Sequence, residues 1–298
     1  MRQHNLQDEL SQLQPQKEFF VGIDSDGCAF DTMEIKQKEC FCPNFIRYFN
    51  LQPVSKYARE TWEFVNLYSK SRGVNRFPAL VEAMRLRGEL KEVKARGASV
   101  IELSPLATWI SGETKLGNPT LEKAVRESGN ALLILVLEWS KKVNRDIEEM
   151  VHGIGPFPFV KQSLDKMIPL SDLMVVSQTP LEALTREWKE NRIDRYLRII
   201  AGQEYGTKSE HLALAAKGKY PDEKILMIGD AFGDLKAAQS NGVLFFPINP
   251  GHEEASWERF YREGFDRFVK GSYKGDYEDS LVKDFKKYLP ELPPWKTN

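Results

Sequence analysis

The sequence has few cysteines and few histidines, and neither residue type has the spacing of a metal site. Three cysteines, Cys28, Cys40 and Cys42, occur in 298 residues. This small and odd count argues against a fold held by disulfides. The Cys40–Cys42 pair has no second Cys or His pair at zinc-ligand spacing, and the four histidines are scattered. We therefore expect reduced thiols and no structural zinc.

The sequence also lacks a long hydrophobic run and an excess of either charge. The longest apolar run, residues 131–137, is far shorter than the roughly 20 residues that cross a bilayer. Residues 1–18 are polar, without the apolar segment of a secretory signal. The 42 basic and 43 acidic side chains leave a net charge of −1, which gives no general attraction to nucleic acid or anionic lipid. We expect a cytoplasmic protein that binds neither nucleic acid nor membrane.

The hydrophobic pattern divides the chain into segments of different character. Residues 1–16 are polar and Gln-rich, which predicts a flexible N-terminal tail. Helical patterns dominate residues 33–152, and a Gly/Pro cluster at 153–158 has the composition of a linker. Beyond it, short apolar segments alternate with helical ones, which indicates a parallel sheet covered on both faces.

Five segments have the apolar, β-branched character of buried strands, namely residues 19–24, 173–177, 198–202, 225–230 and 243–248. The first resembles the others, so we place it in the same sheet. The predicted fold class is α/β, with a three-layer Rossmann-like parallel-sheet core formed by residues 17–32 plus 153–298. Residues 33–152 form an inserted all-helical domain. Thr179-Pro180 is interpreted as the cap of the helix that follows.

Polar side chains follow these strands at their carboxyl ends, where open parallel sheets bind ligands. The residues that end a strand or open the next helix are Asp24, Asp26, Ser177, Lys208, Asp230 and Asp234. Lys208 lies within Thr207-x-x-Glu210, a capping-box pattern. Several carboxylates together suit a hard cation such as Mg²⁺, and an ammonium and a hydroxyl suit phosphoryl oxygens. A remaining carboxylate can act as a nucleophile, so the set indicates phosphoryl transfer.

Four motifs in this order resemble those of the haloacid dehalogenase (HAD) superfamily. They are DSDGCAFDT at 24–32, VVSQT at 175–179, the single Lys208, and GDAFGD at 229–234. The resemblance implies a hydrolase with a cap domain at 33–152 that cleaves a phosphomonoester of a small metabolite. It also implies Mg²⁺ as cofactor and an aspartyl-phosphate intermediate. One departure is Cys28, where the family usually has threonine.

The resemblance also implies a role for each matching residue. Asp24 would be the nucleophile and a Mg²⁺ ligand. Asp26 would be the acid and base, with its backbone carbonyl on the metal. Ser177 and Lys208 would bind the phosphoryl group. Asp230 would ligate Mg²⁺, and Asp234 would orient the waters of the metal.

Substrate contacts are predicted at two places. Gly27 and Gln178 adjoin the predicted catalytic residues, and Arg72, Asn75 and Arg76 lie in SRGVNRFPAL, a polar turn before a helix. For the phosphate-binding lysine, Lys217 and Lys219 remain alternatives to Lys208.

Other functions are compatible with parts of this pattern. A calcium loop would need an acid or amide and then a glutamate where this chain has Cys28 and Ile35, so we reject it. Asp26 argues against a true dehalogenase, which lacks that residue. A phosphomutase or other phosphotransferase stays open. A phosphonate hydrolase, which usually replaces the second aspartate, and a non-catalytic HAD-like binding module are weaker alternatives, since the acids are intact.

Overall fold

The chain divides into two compact units in a computed structural model that describes residues 6–98 and 101–296. The core unit comprises residues 1–32 and 153–290, and the helical unit comprises residues 33–152 and 291–298. Residues 1–5 of the predicted flexible tail lie outside the described residues. Among the helices of the described residues, none is both long and apolar enough to cross a membrane.

The core unit is built on a five-stranded parallel sheet with the strand order β3-β2-β1-β4-β5. Its strands are Phe19–Ile23 (β1), Ser171–Val176 (β2), Leu197–Ala201 (β3), Ile225–Gly229 (β4) and Leu244–Pro247 (β5). The predicted α/β class and the placement of the first strand in this sheet are confirmed. Because β2 and β4 lie on opposite sides of β1, the winding direction changes next to β1, and ligands bind at such a switch point.

Successive side chains of β1 enter two different apolar clusters. Phe19 and Val21 pack in one cluster with Trp188, whereas Phe20 packs in another with Leu212. This alternation follows from the two-residue period of a strand. The sheet is therefore the middle of three layers. The helices of the core unit are Leu6–Gln12, Val160–Met167, Leu181–Glu190, Lys208–Ala215, Phe232–Asn241, Glu253–Arg259, Phe265–Val269 and Asp276–Tyr288.

The N-terminal segment differs from the flexible tail predicted for residues 1–16. In its described part, the helix Leu6–Gln12 buries Leu10 completely. The Lys219 ammonium donates to the Leu10 carbonyl (2.8 Å), and the backbone N–H of Gln16 donates to the Asp172 carboxylate (2.7 Å). One buried leucine and these long-range hydrogen bonds are enough to hold a short polar segment, and its composition does not reveal them.

The helical unit consists of helices in its described residues, 33–98, 101–152 and 291–296, and contains no strand there. Its core includes Trp62 and Trp139, whose rings are 6.0 Å apart. Near the C-terminus, Trp295 packs against Phe64 at 5.6 Å, so residues 291–296 group with this unit although the predicted core range ran to 298. The helix Thr32–Ile35 begins at the last residue of the first segment of the core unit and continues into the helical unit. The other α-helices of the helical unit are Cys42–Tyr48, Ser55–Leu67, Arg76–Glu89, Lys91–Ala95, Ser104–Gly112, Asn118–Ser128 and Ala131–Met150.

Candidate active site

Asp24 stands directly at the carboxyl end of the central strand. Its backbone N–H donates to the Ile228 carbonyl (3.0 Å), which extends the β1–β4 pairing by one residue, and its side chain is buried. The chain then turns sharply. Gly27 has a φ of 76°, a conformation that favours glycine, and its N–H donates to the Phe30 carbonyl (2.8 Å). Asp26 lies in this turn, and its carboxylate is within hydrogen-bond distance of Thr179, which follows β2.

Asp230 and Asp234 follow β4, the neighbour of β1. Both are fully buried, and Asp234 accepts a hydrogen bond from the Ala231 N–H (3.0 Å) at the start of the helix Phe232–Asn241. A Cβ atom on Gly229 would lie 2.3 Å from Cγ of Asp234. Only glycine therefore allows the Asp234 side chain to fold back over the end of the strand.

Carboxylate oxygens of Asp24, Asp230 and Asp234 lie within 4.8 Å of one another. Across residues 6–98 and 101–296, this is the one group of three or more Asp, Glu, His or Cys side chains close enough to share an ion. Buried like charges at this distance repel unless a cation compensates them. A donor set made only of carboxylates suits a hard ion such as Mg²⁺, so the residues fit the predicted metal.

Lys208 is brought to the same place by its helix. Thr207 and Glu210 form the predicted capping box, which fixes the first turn of Lys208–Ala215. The Lys208 ammonium lies 2.7 Å from Oδ2 of Asp24 and 2.5 Å from Oδ1 of Asp234.

The two alternative lysines are engaged elsewhere in the core unit. Lys217 pairs with Asp222 (2.6 Å), and Lys219 donates to the carbonyls of Leu10 and Leu214.

Burial and the neighbouring charges shift the pKa values of the groups in this cluster. Burial raises the pKa of Asp234 to about 6, opposed by Lys208 and reinforced by Asp24. Burial disfavours the Lys208 ammonium, but Asp234 and Asp24 outweigh it and raise the pKa of Lys208 above its ordinary range. Burial and then the nearby acids also raise the pKa of the Cys28 thiol well above its ordinary value. Lys208 pairs with Asp24 and Asp234, and a divalent cation would offset the repulsion among the three carboxylates.

The Asp26 carboxylate is not part of that cluster but is held by two threonines. Oδ1 accepts a hydrogen bond from the Thr32 hydroxyl (2.6 Å), and Oδ2 accepts one from the Thr179 hydroxyl (2.8 Å).

The prediction that Thr179 caps the next helix is wrong. The helix Leu181–Glu190 begins after Pro180 without a side-chain cap. Thr32 is the last residue of the motif DSDGCAFDT, and Thr179 is the last residue of VVSQT. Their places in these motifs were the sequence signal that could have identified them as site residues.

Ser177 and Gln178 follow β2 at the same edge of the sheet. Ser177 is buried, its N–H donates to the Ala201 carbonyl (3.0 Å), and its hydroxyl oxygen accepts from the Thr179 N–H (3.3 Å). Gln178 is exposed and donates to the Gly206 carbonyl (2.8 Å). Gln178 thus links this loop to the residues just before Lys208.

The three candidate substrate contacts of the helical unit have partners inside that unit. Arg72 is buried and donates to the Leu67 carbonyl (3.0 Å). Asn75 caps the helix Arg76–Glu89 by accepting from the N–H of Phe77 (3.0 Å).

Arg76 likewise has partners within the helical unit. Its guanidinium donates to the side chains of Ser140 (3.0 Å) and Asn144 (2.7 Å), and burial lowers the pKa of Arg76 to about 10. The role of Arg72, Asn75 and Arg76 in binding substrate stays a prediction.

No protein-family model matches the sequence, and the comparison with curated proteins finds no match. Solved structures of HAD-type hydrolases do resemble the chain. A haloacid dehalogenase-like family protein of Streptococcus pneumoniae is 12% identical, with 82% of this chain and 90% of that chain covered and a TM-score of 0.44. A haloacid dehalogenase-like family hydrolase of Xanthomonas campestris is 11% identical, with 88% and 98% covered and a TM-score of 0.46.

A third structure is described as a predicted phosphoglycolate phosphatase of Haemophilus somnus. It is 14% identical, with 86% of this chain and 99% of that chain covered and a TM-score of 0.48. The first two structures are described as members of the family that the four motifs resemble. With TM-scores below 0.5, these similarities do not support a conclusion about the function of this chain. The fold rests on the sheet topology, and the function rests on the side chains of the site.

Proposed function

We propose that the protein is a HAD-type, Mg²⁺-dependent phosphatase that hydrolyses a phosphomonoester of a small metabolite through an aspartyl-phosphate. One observation carries this proposal. The buried carboxylates of Asp24, Asp230 and Asp234 meet within 4.8 Å, with the Lys208 ammonium 2.7 Å from Asp24. In this proposal residues 17–32 and 153–298 form the catalytic domain, and residues 33–152 form its cap.

The proposed metal site consists of the side chains of Asp24, Asp230 and Asp234 with the backbone carbonyl of Asp26. Bound there, Mg²⁺ would offset the repulsion of the acids and the charge of the phosphoryl group. The burial of these three carboxylates and the closeness of their oxygens support this assignment.

The first step is attack by a carboxylate oxygen of Asp24 on phosphorus. The new oxygen–phosphorus bond forms as the bond to the leaving oxygen breaks, and Asp26 gives that oxygen a proton. Lys208 and Ser177 are proposed to bind the remaining phosphoryl oxygens. The contact between Lys208 and Asp24 supports this role, because it puts the ammonium beside the attacking group.

The second step returns Asp24 to its free form. Water attacks the phosphorus of the aspartyl-phosphate, the bond from Asp24 to phosphorus breaks, and Asp26 takes the proton of the water. Inorganic phosphate leaves. A phosphotransferase would use a sugar hydroxyl in place of water, so the identity of the acceptor is what product analysis must establish.

The test is phosphate release from a panel of phosphorylated metabolites and p-nitrophenyl phosphate, with and without Mg²⁺. We expect metal-dependent release by the wild-type protein and none by Asp24→Asn. Release that is independent of Mg²⁺, or that persists in Asp24→Asn, would contradict the proposal. Transfer of phosphate to an added sugar with no free phosphate would replace it with a phosphotransferase.

A further inference from the structure

We propose that Thr179 is a positioning residue that fixes the plane of the Asp26 carboxyl group for proton transfer to and from the reacting oxygen. This inference rests on the proposed function, in which Asp26 is the acid and base. Thr179 belongs to neither the metal cluster nor the phosphoryl-binding pair. Its expected contribution is therefore selective, affecting proton transfer and not the binding of substrate.

The two hydroxyl contacts to Asp26 come from segments that are far apart in the sequence. Thr32 is on the same turn as Asp26 and reaches Oδ1 (2.6 Å), whereas Thr179 follows β2 and reaches Oδ2 (2.8 Å). A single hydrogen bond lets a carboxyl group rotate about its Cβ–Cγ bond. Two donors from different segments, one on each oxygen, define the plane of the group.

Thr179 is itself held firmly enough to act as this second anchor. Its carbonyl accepts from the N–H of Gln203 (3.1 Å), and its own N–H donates to the hydroxyl oxygen of Ser177 (3.3 Å). A Cβ atom on Gly202 would lie 2.7 Å from the Thr179 carbonyl oxygen and 2.8 Å from the Leu181 nitrogen. The loop after β3 therefore packs against Thr179 as closely as a glycine permits.

The arrangement is compatible with both proton transfers. A carboxylate has about four lone-pair sites, so accepting two hydroxyl hydrogens leaves room for one proton. In the first step that proton moves from Asp26 to the leaving oxygen as the ester bond breaks. In the second step Asp26 receives a proton from the attacking water. The Thr179 hydroxyl remains a donor throughout and is not consumed.

The leaving group tells a positioning role from a general loss of structure. An alkoxide is a poor leaving group and needs the proton, whereas p-nitrophenolate leaves readily without it. Thr179→Val removes the hydroxyl and keeps the shape of the side chain. Thr179→Ser keeps the hydroxyl and serves as the matched control.

The experiment compares the best alkyl phosphate of the panel with p-nitrophenyl phosphate at saturating Mg²⁺. For Thr179→Val we expect kcat/KM on the alkyl phosphate to fall about 10-fold and kcat/KM on the aryl phosphate to change less than about 2-fold. This ratio reports only the first step, in which the alkoxide needs the proton of Asp26, and excludes the hydrolysis of the aspartyl-phosphate that both substrates share. Asp26→Asn serves as the reference variant: its rate on the alkyl phosphate should fall further, again with little change on the aryl phosphate. Thr179→Ser should recover most of the alkyl rate.

Several outcomes would overturn the inference. If Thr179→Val loses rate equally on both substrates, or loses none, the inference is wrong. The proposed function is unaffected in that case, provided that Asp26→Asn still shows the selective loss. Failure of Thr179→Ser to recover the rate would also count against the inference. If the wild type hydrolyses neither substrate, or Asp26→Asn shows no selectivity, both the inference and the acid role of Asp26 fall. Should Thr179→Val not fold, Gly202→Ala must show the alkyl-selective loss, because it displaces the Thr179 carbonyl.

Discussion

The two edges of the parallel sheet each bury aspartate, but they compensate its charge in opposite ways. At the amino edge, Asp172 near the start of β2 accepts hydrogen bonds from Tyr220 (2.6 Å), Arg198 (2.6 Å) and the backbone N–H groups of Gln16 and Lys17. Burial acts against it, but hydrogen bonds from Tyr220, Gln16 and Arg198 lower the pKa of Asp172 below its ordinary value.

At the carboxyl edge, three buried carboxylates lie within 4.8 Å of one another, and Lys208 pairs with two of them, Asp24 and Asp234. There the pKa of Asp234 is raised to about 6 by burial and by the charge of Asp24, opposed by Lys208. At the amino edge, the protein itself supplies the hydrogen-bond donors that stabilise the Asp172 carboxylate. The carboxyl edge brings together three carboxylates that suit a hard cation, and the Lys208 ammonium suits a phosphoryl group. This contrast separates a carboxylate that stabilises the fold from carboxylates that stay available for chemistry.

The largest expected effect is on the carboxyl edge. Asp24→Asn should lower the rate of phosphate release at least about 10³-fold, because the amide cannot form the aspartyl-phosphate. Thermal unfolding without divalent cation should change little, since the substitution also removes a repelling charge. A variant that unfolds at a much lower temperature would show that Asp24 is mainly structural.

The corresponding change at the amino edge should affect stability instead of rate. Asp172→Asn should lower the free energy of unfolding by about 2–3 kcal/mol, because it leaves buried donors without a charged acceptor. The rate of hydrolysis at temperatures where the variant is folded should stay the same. A loss of activity without a loss of stability would erase the distinction between the edges.

This prediction also has a pH dependence with a definite sign. The folded-state pKa of Asp172 is lowered from the unfolded value of 3.8, so its stabilising contribution is complete above that value. The contribution is lost as pH falls through the lowered pKa. The free energies of unfolding of the wild type and Asp172→Asn, measured with denaturant, should therefore approach each other as the pH falls below about 4.

Addition of Mg²⁺ should distinguish the edges by ligand binding. At a concentration about 100 times its dissociation constant, Mg²⁺ should raise the free energy of unfolding by about 2.7 kcal/mol. Asp230→Asn should lose this response, whereas Asp172→Asn should keep it. Equal responses of the two variants would show that the stabilisation does not come from the predicted site.

The smallest effect concerns His211, a fully buried residue on the helix that begins at Lys208. Burial, with a smaller effect from Lys208, lowers the pKa of His211 to about 4. Because the unfolded chain takes up a proton first, wild-type stability should fall by about 1 kcal/mol between pH 6 and pH 5. His211→Leu should show a flatter curve over that interval. An unchanged slope would mean that another group titrates there.

The features that depend on short stretches of sequence were predictable. The strands, and the acids that follow them, come from apolar runs that end in Asp24 and Asp230. The capping box at Thr207 anticipated the start of the helix that carries Lys208. Contacts between distant segments were not predictable in this way. The Thr179 hydroxyl was assigned to a local cap because its partner, Asp26, is far away in the sequence.

The same reason explains the N-terminal segment and Gly229. Polar composition suggests a flexible tail, and only the fold brings the Gln16 N–H to Asp172. Gly229 looks like the ordinary end of a strand until the Asp234 side chain is placed 2.3 Å from where its Cβ would be. Packing at such short range depends on the whole chain and leaves no periodic signal.

The position of β1 in the middle of the sheet has a consequence for synthesis of the protein on the ribosome. Phe19 pairs with Ser171, and Phe20 pairs with Ile225, so the central strand is made long before either neighbour. At roughly 5–20 residues per second, β1 waits about 8 to 30 s for its first partner. During that time most of the helical unit has emerged and can fold through local contacts. The nascent chain must keep an apolar strand unpaired throughout, and the catalytic edge is complete only after Asp230 and Asp234 have been synthesised.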